Sequence, residues 1–357
     1  MAVKGSVAPL EWLRQQDIFP RWYWAGRDTD EVVAACGVAY AIAAEPGDAA
    51  STRVLDALRR LVPTLPPQAR LFGGLRFNAA RPSDALWRPF DQCAFVVPTL
   101  QLRCRGGEAV LTRCHPRQQQ SDILCHFERF SCHPAASEGS LHLSKRGEIL
   151  PRCARQDDSV GESIPKPTNV SASEHWQQNV ARALRRIEQG ELAKVVLAHK
   201  QTWRVEESPL DPLAVFAAAA ARSPGGCFRF FWQPCPDTAL AGWSPERLYA
   251  RAGADVRTEA VAGTRPRCHD KARDAAWADA LMRSDKDRRE HEAVVRFVRR
   301  ALRDACDRVD VGLPRVVSAA LVQHLKTPMR GRLRAGVTDA DILARLHPTP
   351  AVCGAPS

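Results

Sequence analysis

Residues 171–198 read SASEHWQQNVARALRRIEQGELAKVVLA, and the spacing of their apolar side chains changes once, at Gly190. Before it, Trp176, Val180, Leu184 and Ile187 fall at the three- and four-residue intervals of one helical face. Ser171 and Glu174 match the reciprocal cap that opens such a helix, and Gly190 supplies the left-handed turn that closes it. Leu192 to Ala198 is too short and too rich in Val for a second helix, and reads as a buried strand in a sheet. A helix that hands over directly to a strand predicts a chain of mixed α and β class.

Working outward toward the amino terminus, residues 155–170 are polar, contain Gly161, Pro165 and Pro167, and have no periodic apolar face. They read as a linker, dividing the chain into a mixed α+β part at 1–154 and a second part at 171–357. Within the first part, Val54, Leu55, Leu58 and Leu61 give a helical face, and Ala94 to Val97 and Leu100 to Cys104 read as strands. Gly106 and Gly107 supply the turn of a hairpin between Thr99–Cys104 and Ala109–Arg113. Toward the carboxy terminus, Asp270 to Arg308 contains neither Gly nor Pro and predicts two helices meeting near Ser284 and Asp285. In the second of these, Val294, Phe297, Val298, Ala301 and Leu302 form a stripe, with Glu290 one turn ahead on the inward side.

Hydrophobic residues make up 45% and charged residues 25%, the balance of an ordinary globular chain. No apolar run approaches the ~20 residues that span a bilayer, and Met1 to Arg14 lacks a secretory pattern, so the expectation is a cytoplasmic protein without membrane contact. The net charge of +11 is spread along the chain, which argues against a nucleic-acid stripe; much of it reads as an Arg-rich solvated surface, and some of it can steer a small dianionic substrate toward a cleft. Twelve cysteines include four Cys-His pairs but no Cys-x-x-Cys knuckle, so reduced, mostly buried thiols are expected in place of zinc.

Three residues are candidates for chemistry. Lys194 shares a strand face with Val196 and Ala198, where burial favours the neutral amine that serves as a base; the alternative is an edge lysine reaching water. Glu246 lies on a turn fixed by Pro245, where a partly apolar pocket would keep a carboxyl protonated for general-acid work; the alternative is a surface pair with Arg247 or Arg251. Glu290 begins the helical stripe, so a magnesium ion, or a neighbour such as Lys286 or Arg289, is needed to balance it. Gly263 and Thr264 can offer amides and a hydroxyl to an anion, and His324–Arg330 and His347–Pro350 are proline-restricted segments.

In order along the chain stand Lys194–Ala198, Ser244–Leu248, Glu259–Arg267, Lys286–His291, His324–Thr327 and Leu346–Ala351. This series resembles the successive signatures of the chorismate-binding enzymes, and Phe19–Trp24 and Phe72–Leu75 extend a looser resemblance into the first half. The resemblance implies an α+β fold like that of anthranilate synthase component I, antiparallel sheets flanked by helices in one composite architecture. Lys194 matches the base of water-adding members, and Ala262 stands where aminodeoxychorismate synthases carry a nucleophilic lysine. The chain therefore resembles the isochorismate synthase branch of the menaquinone type. That implies Lys194 as the base activating water for ring carbon 2, Glu246 as the acid at the carbon-4 hydroxyl, and Glu290 as a ligand of Mg2+. Gly263, Thr264, His324 and Ala351 match positions near the bound substrate, chorismate, in a monomer or weak homo-oligomer. Salicylate synthase is the neighbouring alternative. The sequence departs from the pattern at His199, where relatives carry Arg, and at Cys353, where they carry Gly. It also ends before the family's later substrate- and metal-binding segment, so a non-catalytic remnant is a further expectation to weigh.

Overall fold

The computed structural model describes residues 8–44, 50–77, 85–90, 93–116, 123–131, 172–198, 202–203, 210–223, 225–319 and 321–356. The 155–170 linker, the Ser171 cap and His199 lie outside them.

Among the described residues every strand pairing is antiparallel, and helices flank the sheets. The largest sheet has seven strands in the order Thr238–Ser244, Phe228–Cys235, Arg21–Ala25, Val32–Cys36, Leu100–Arg105, Glu108–Pro116 and Ile123–Ser131. Strands from both sides of the polar 155–170 stretch therefore share one sheet, with Trp22 opposite Trp232 and Tyr23 opposite Phe231. The hairpin at Gly106 and Gly107 forms with φ of 58° and 79°, the backbone whose twist matches the flanking strands.

A second sheet of five strands carries Gly263, Thr264 and His324. Ala250–Ala252, Asp255–Pro266, Val322–Leu333 and Cys306–Val311 lie in that order, and Arg315–Ser318 also pairs with Val322–Leu333. Smaller sheets join Tyr40–Ala43, Cys93–Val97 and Phe72–Leu75, and Leu192–Val195 with Gly354–Pro356.

The two helices after Asp270 span Lys271–Arg283 and Asp285–Arg303 and meet at Ser284, whose hydroxyl accepts from the Asp287 N–H at 3.3 Å. The second stops at Arg303 because Cys306 already pairs with Leu333 in the five-stranded sheet. Its face of Val294, Val295, Val298, Ala301 and Leu302 packs on Val256, Ala260, Met329 and Leu333. At about 1.5–3 kcal/mol for each fully buried Val, Leu or Met, that contact dominates the local stability. The helix Ala50–Leu61 likewise lays Val54, Leu55 and Leu58 on Ile42 and Val97.

Two expectations are corrected. The strand after Gly190 covers Leu192–Val195 only; it pairs with the short Gly354–Pro356 segment, not with a large sheet, and Val196 is 39% exposed. Glu290 does not lie on the buried face of its helix: Asp287, His291, Val294 and Val298 follow the helical period inward, and one residue's rotation leaves the Glu290 side chain 36% exposed. No helix among the described residues is long and apolar enough to cross a membrane.

Candidate active site

Lys194 is the buried member of its strand, so it is not an edge lysine reaching water. Its ammonium donates to the Pro350 carbonyl at 2.7 Å and stands 3.5 Å from a Glu290 carboxylate oxygen. Pairing of Lys194 with Ala355 across the two short strands brings the Pro350–Cys353 turn, and Ala351 within it, beside the lysine. Ala351 also packs against the core under the Asp285–Arg303 helix.

Glu246 sits at the centre of the Ser244–Leu248 turn. The arginines expected as surface partners are engaged elsewhere, Arg247 with Asp28 at 2.5 Å and Arg251 with Asp339 at 3.3 Å. Burial, followed by the negative charge of Glu259, pushes the Glu246 carboxyl from 4.5 up to about 7, against the opposing pull of the Lys194 ammonium. The two residues thus feel one another's charge, and near neutral pH Glu246 holds its proton about half the time.

Glu259, the first residue of the Glu259–Arg267 motif, is a candidate functional residue that its local sequence barely marks. Its side chain is 3% exposed and bonded to Arg27, to Lys326 at 2.7 Å and to the Arg247 N–H at 3.1 Å. Burial would raise its carboxyl, but the hydrogen bonds from Arg27 and Lys326 prevail and hold it below the ordinary range. The only sequence signal was a carboxylate set in an apolar strand; Arg27, 232 positions away, gave none.

Gly263, Thr264 and His324 meet at a register shift between Asp255–Pro266 and Val322–Leu333. Gly263 adopts φ +80°, and a side-chain carbon there would approach Asp287 Cβ to 3.3 Å. Thr264 Oγ1 and His324 Nδ1 are 3.0 Å apart, and His324 Nε2 is buried without a hydrogen bond. Burial lowers the His324 imidazole below 6.5, with the Gly263 carbonyl opposing. His291, not singled out from sequence, shares a buried 2.7 Å hydrogen bond with Thr327. Its imidazole is also lowered, chiefly by burial, with smaller effects from the Ala262 carbonyl, Glu292, Glu290 and Lys194.

The described residues do not fit a magnesium ion by themselves. They hold no group of three metal-binding side chains, and Glu290 offers one half-exposed carboxylate with an ammonium 3.5 Å away. A groove of about 710 Å³, lined by Ala193, Arg288, Arg289, His291 and Leu325 among others, runs beside the lysine strand. An aromatic cavity of about 680 Å³, walled by Trp22, Trp24, Phe72 and Trp232, contains none of the candidate groups.

Helix-flanked antiparallel sheets bearing a buried lysine, and a carboxyl poised near neutrality within reach of its charge, define an architecture suited to acid–base work on a small substrate. The family model described as Chorismate binding enzyme matches residues 2–357, and the chain belongs to that family. It is 28% identical over 376 residues to isochorismate synthase 2, chloroplastic, of Arabidopsis thaliana, covering 99% of this chain and 65% of that protein. To isochorismate synthase MenF of Escherichia coli it is 30% identical over 359 residues, covering 99% and 73%. The solved structure of MenF, the menaquinone-specific isochorismate synthase from Escherichia coli, superposes with a TM-score of 0.67 at 26% identity, over 99% of this chain and 74% of that one. The chain thus spans between 65% and 74% of the length of these relatives.

Proposed function

We propose that the chain acts as an isochorismate synthase, adding water at ring carbon 2 of chorismate and releasing the carbon-4 hydroxyl. Lys194 in its neutral amine form takes a proton from the attacking water, the ring double bonds shift, and Glu246 gives its proton to the hydroxyl that leaves as water. One water enters and one departs, so the reaction is an isomerisation. Gly263, Thr264, His324 and Ala351 are assigned to the substrate's surroundings, where a neutral His324 with a free buried nitrogen can donate or accept a hydrogen bond.

The observation that carries this reading is a buried lysine whose charge acts on a carboxyl raised to about 7 by burial and the charge of Glu259. A general acid works best when its pKa lies near the operating pH. The isochorismate synthases among the relatives support the substrate and product, and the menaquinone-specific Escherichia coli protein suggests menaquinone synthesis as the destination. Magnesium, for which the resemblance implies Glu290 as one ligand, enters no step, because the described residues do not complete a site for it. The test is product analysis after incubating the purified chain with chorismate and a magnesium salt. Isochorismate alone supports the proposal; salicylate with pyruvate reassigns the reaction, and unchanged chorismate removes the activity from this chain.

A further inference from the structure

Glu246 sits on a turn whose backbone is held on both sides by one ion pair. The Arg27 guanidinium donates to the Pro245 carbonyl and to Glu259 Oε1 through one nitrogen, and to Glu259 Oε2 at 3.0 Å through the other. Glu259 Oε1 in turn accepts the Arg247 N–H at 3.1 Å. The peptide groups gripped are therefore those of the residues immediately before and after Glu246. Asp28 braces the clasp from outside, bonded to Arg27 at 2.8 and 2.9 Å and to Arg247 at 2.5 Å. The Phe228 ring lies 5.0 Å from the Arg27 guanidinium carbon and 5.4 Å from that of Arg247. Lys326, on the strand beside Glu259, closes the other end at 2.7 Å.

A stability role alone accounts poorly for this arrangement. The Arg27 and Glu259 side chains are 6% and 3% exposed, and buried ion pairs of that kind usually gain little over apolar residues of the same volume. What apolar residues cannot supply is a directional hold on one carbonyl and one amide. We propose that Arg27, with Glu259, is a positioning residue that fixes the Glu246 turn from the far end of the chain. This rests on the reading of Glu246 as general acid. Arg27 follows the strand Arg21–Ala25, which pairs with Phe228–Cys235 in the seven-stranded sheet, so the amino-terminal part contributes directly to the geometry of the acid.

The charges that act on the Glu246 carboxyl are Glu259, which raises it, and Lys194, which lowers it; Lys326, Arg27, Asp28 and Arg247 are tied to it through their bonds to Glu259 and to one another. Removing Arg27 deletes a cation and leaves Glu259 less compensated, so the Glu246 carboxyl must rise. Removing the Glu259 charge must lower it.

The test compares the wild-type chain with Arg27→Met, Arg27→Lys and Glu259→Gln by two readouts. In 13C NMR of carboxyl-labelled glutamate, with Glu246 assigned through Glu246→Gln, the midpoint moves up in Arg27→Met and down in Glu259→Gln. In chorismate turnover, kcat falls roughly 10²-fold in Arg27→Met, as for a catalytic group misplaced by an ångström, with KM little changed and Arg27→Lys intermediate. The NMR readout needs no turnover, so an inactive wild-type chain refutes the proposed function and still leaves the clasp to be decided. Should Arg27→Met fail to fold, Arg27→Lys carries the test, because it keeps the charge and loses the two-pronged grip. A folded Arg27→Met or Glu259→Gln with an unchanged Glu246 midpoint overturns the proposal, as does an Arg27→Lys whose loss is confined to thermal stability.

Discussion

Replacing Glu246 by Gln makes a prediction that needs no substrate. Burial and the Glu259 charge carry this carboxyl from 4.5 to about 7 in the folded chain. At 1.36 kcal/mol per pH unit, ionised Glu246 disfavours the fold by about 3 kcal/mol relative to its acid form. The folded pKa lies above the unfolded one, so the unfolded chain releases this proton first as pH rises. The contribution is fully present below 4.5 and is lost as pH climbs through about 7. Gln keeps the size and polarity of the acid form and cannot ionise. Glu246→Gln should therefore match the wild type near pH 4 and exceed it by about 3 kcal/mol near pH 8. Urea unfolding followed by circular dichroism at several pH values measures the gap directly. A gap that stays constant within about 0.5 kcal/mol across that range would refute the claim that Glu246 is held protonated near neutrality.

Lys194→Ala should lower chorismate turnover by roughly 10²–10⁴-fold, the usual contribution of a general base, while the chain remains folded by circular dichroism; a loss under tenfold removes the assignment. Gly263→Ala should cost about 1–2 kcal/mol, because the residue sits at φ +80° with Asp287, Leu281 and Leu325 atoms within 3.5 Å of the added carbon. Thermal denaturation reads that cost, and an unchanged midpoint would contradict it. His324 should titrate with a midpoint below the ordinary 6.5, because burial disfavours its charged form, and a proton-NMR titration with a midpoint at or above 6.5 would refute that.

Much of the fold was legible because local chemistry marked it. Ser284 was readable as a helix boundary from one side chain able to cap, and Gly106-Gly107 as a hairpin from two residues free to take positive φ. Lys194 and Glu246 stood out because an ammonium in an apolar strand and a carboxyl on a proline-fixed turn are costly unless something uses them. Length of pairing was not legible: Leu192–Ala198 has strand composition throughout, yet its partner Gly354–Pro356 is three residues long, and the strand stops at Val195. The depth of Glu290 was misread because a spacing of four from Val294 also fits a position at the stripe's margin. The Arg27–Glu259 pair was invisible for a different reason, since no local pattern encodes a contact between residues 232 positions apart.

The most direct test is turnover in water enriched in oxygen-18, with the position of the label read by mass spectrometry and NMR. If Lys194 activates water while Glu246 releases the hydroxyl, isochorismate forms with one heavy oxygen at carbon 2, and neither Lys194→Ala nor Glu246→Gln forms it at a comparable rate. Product without label, or label gained equally fast by both variants, would contradict the account.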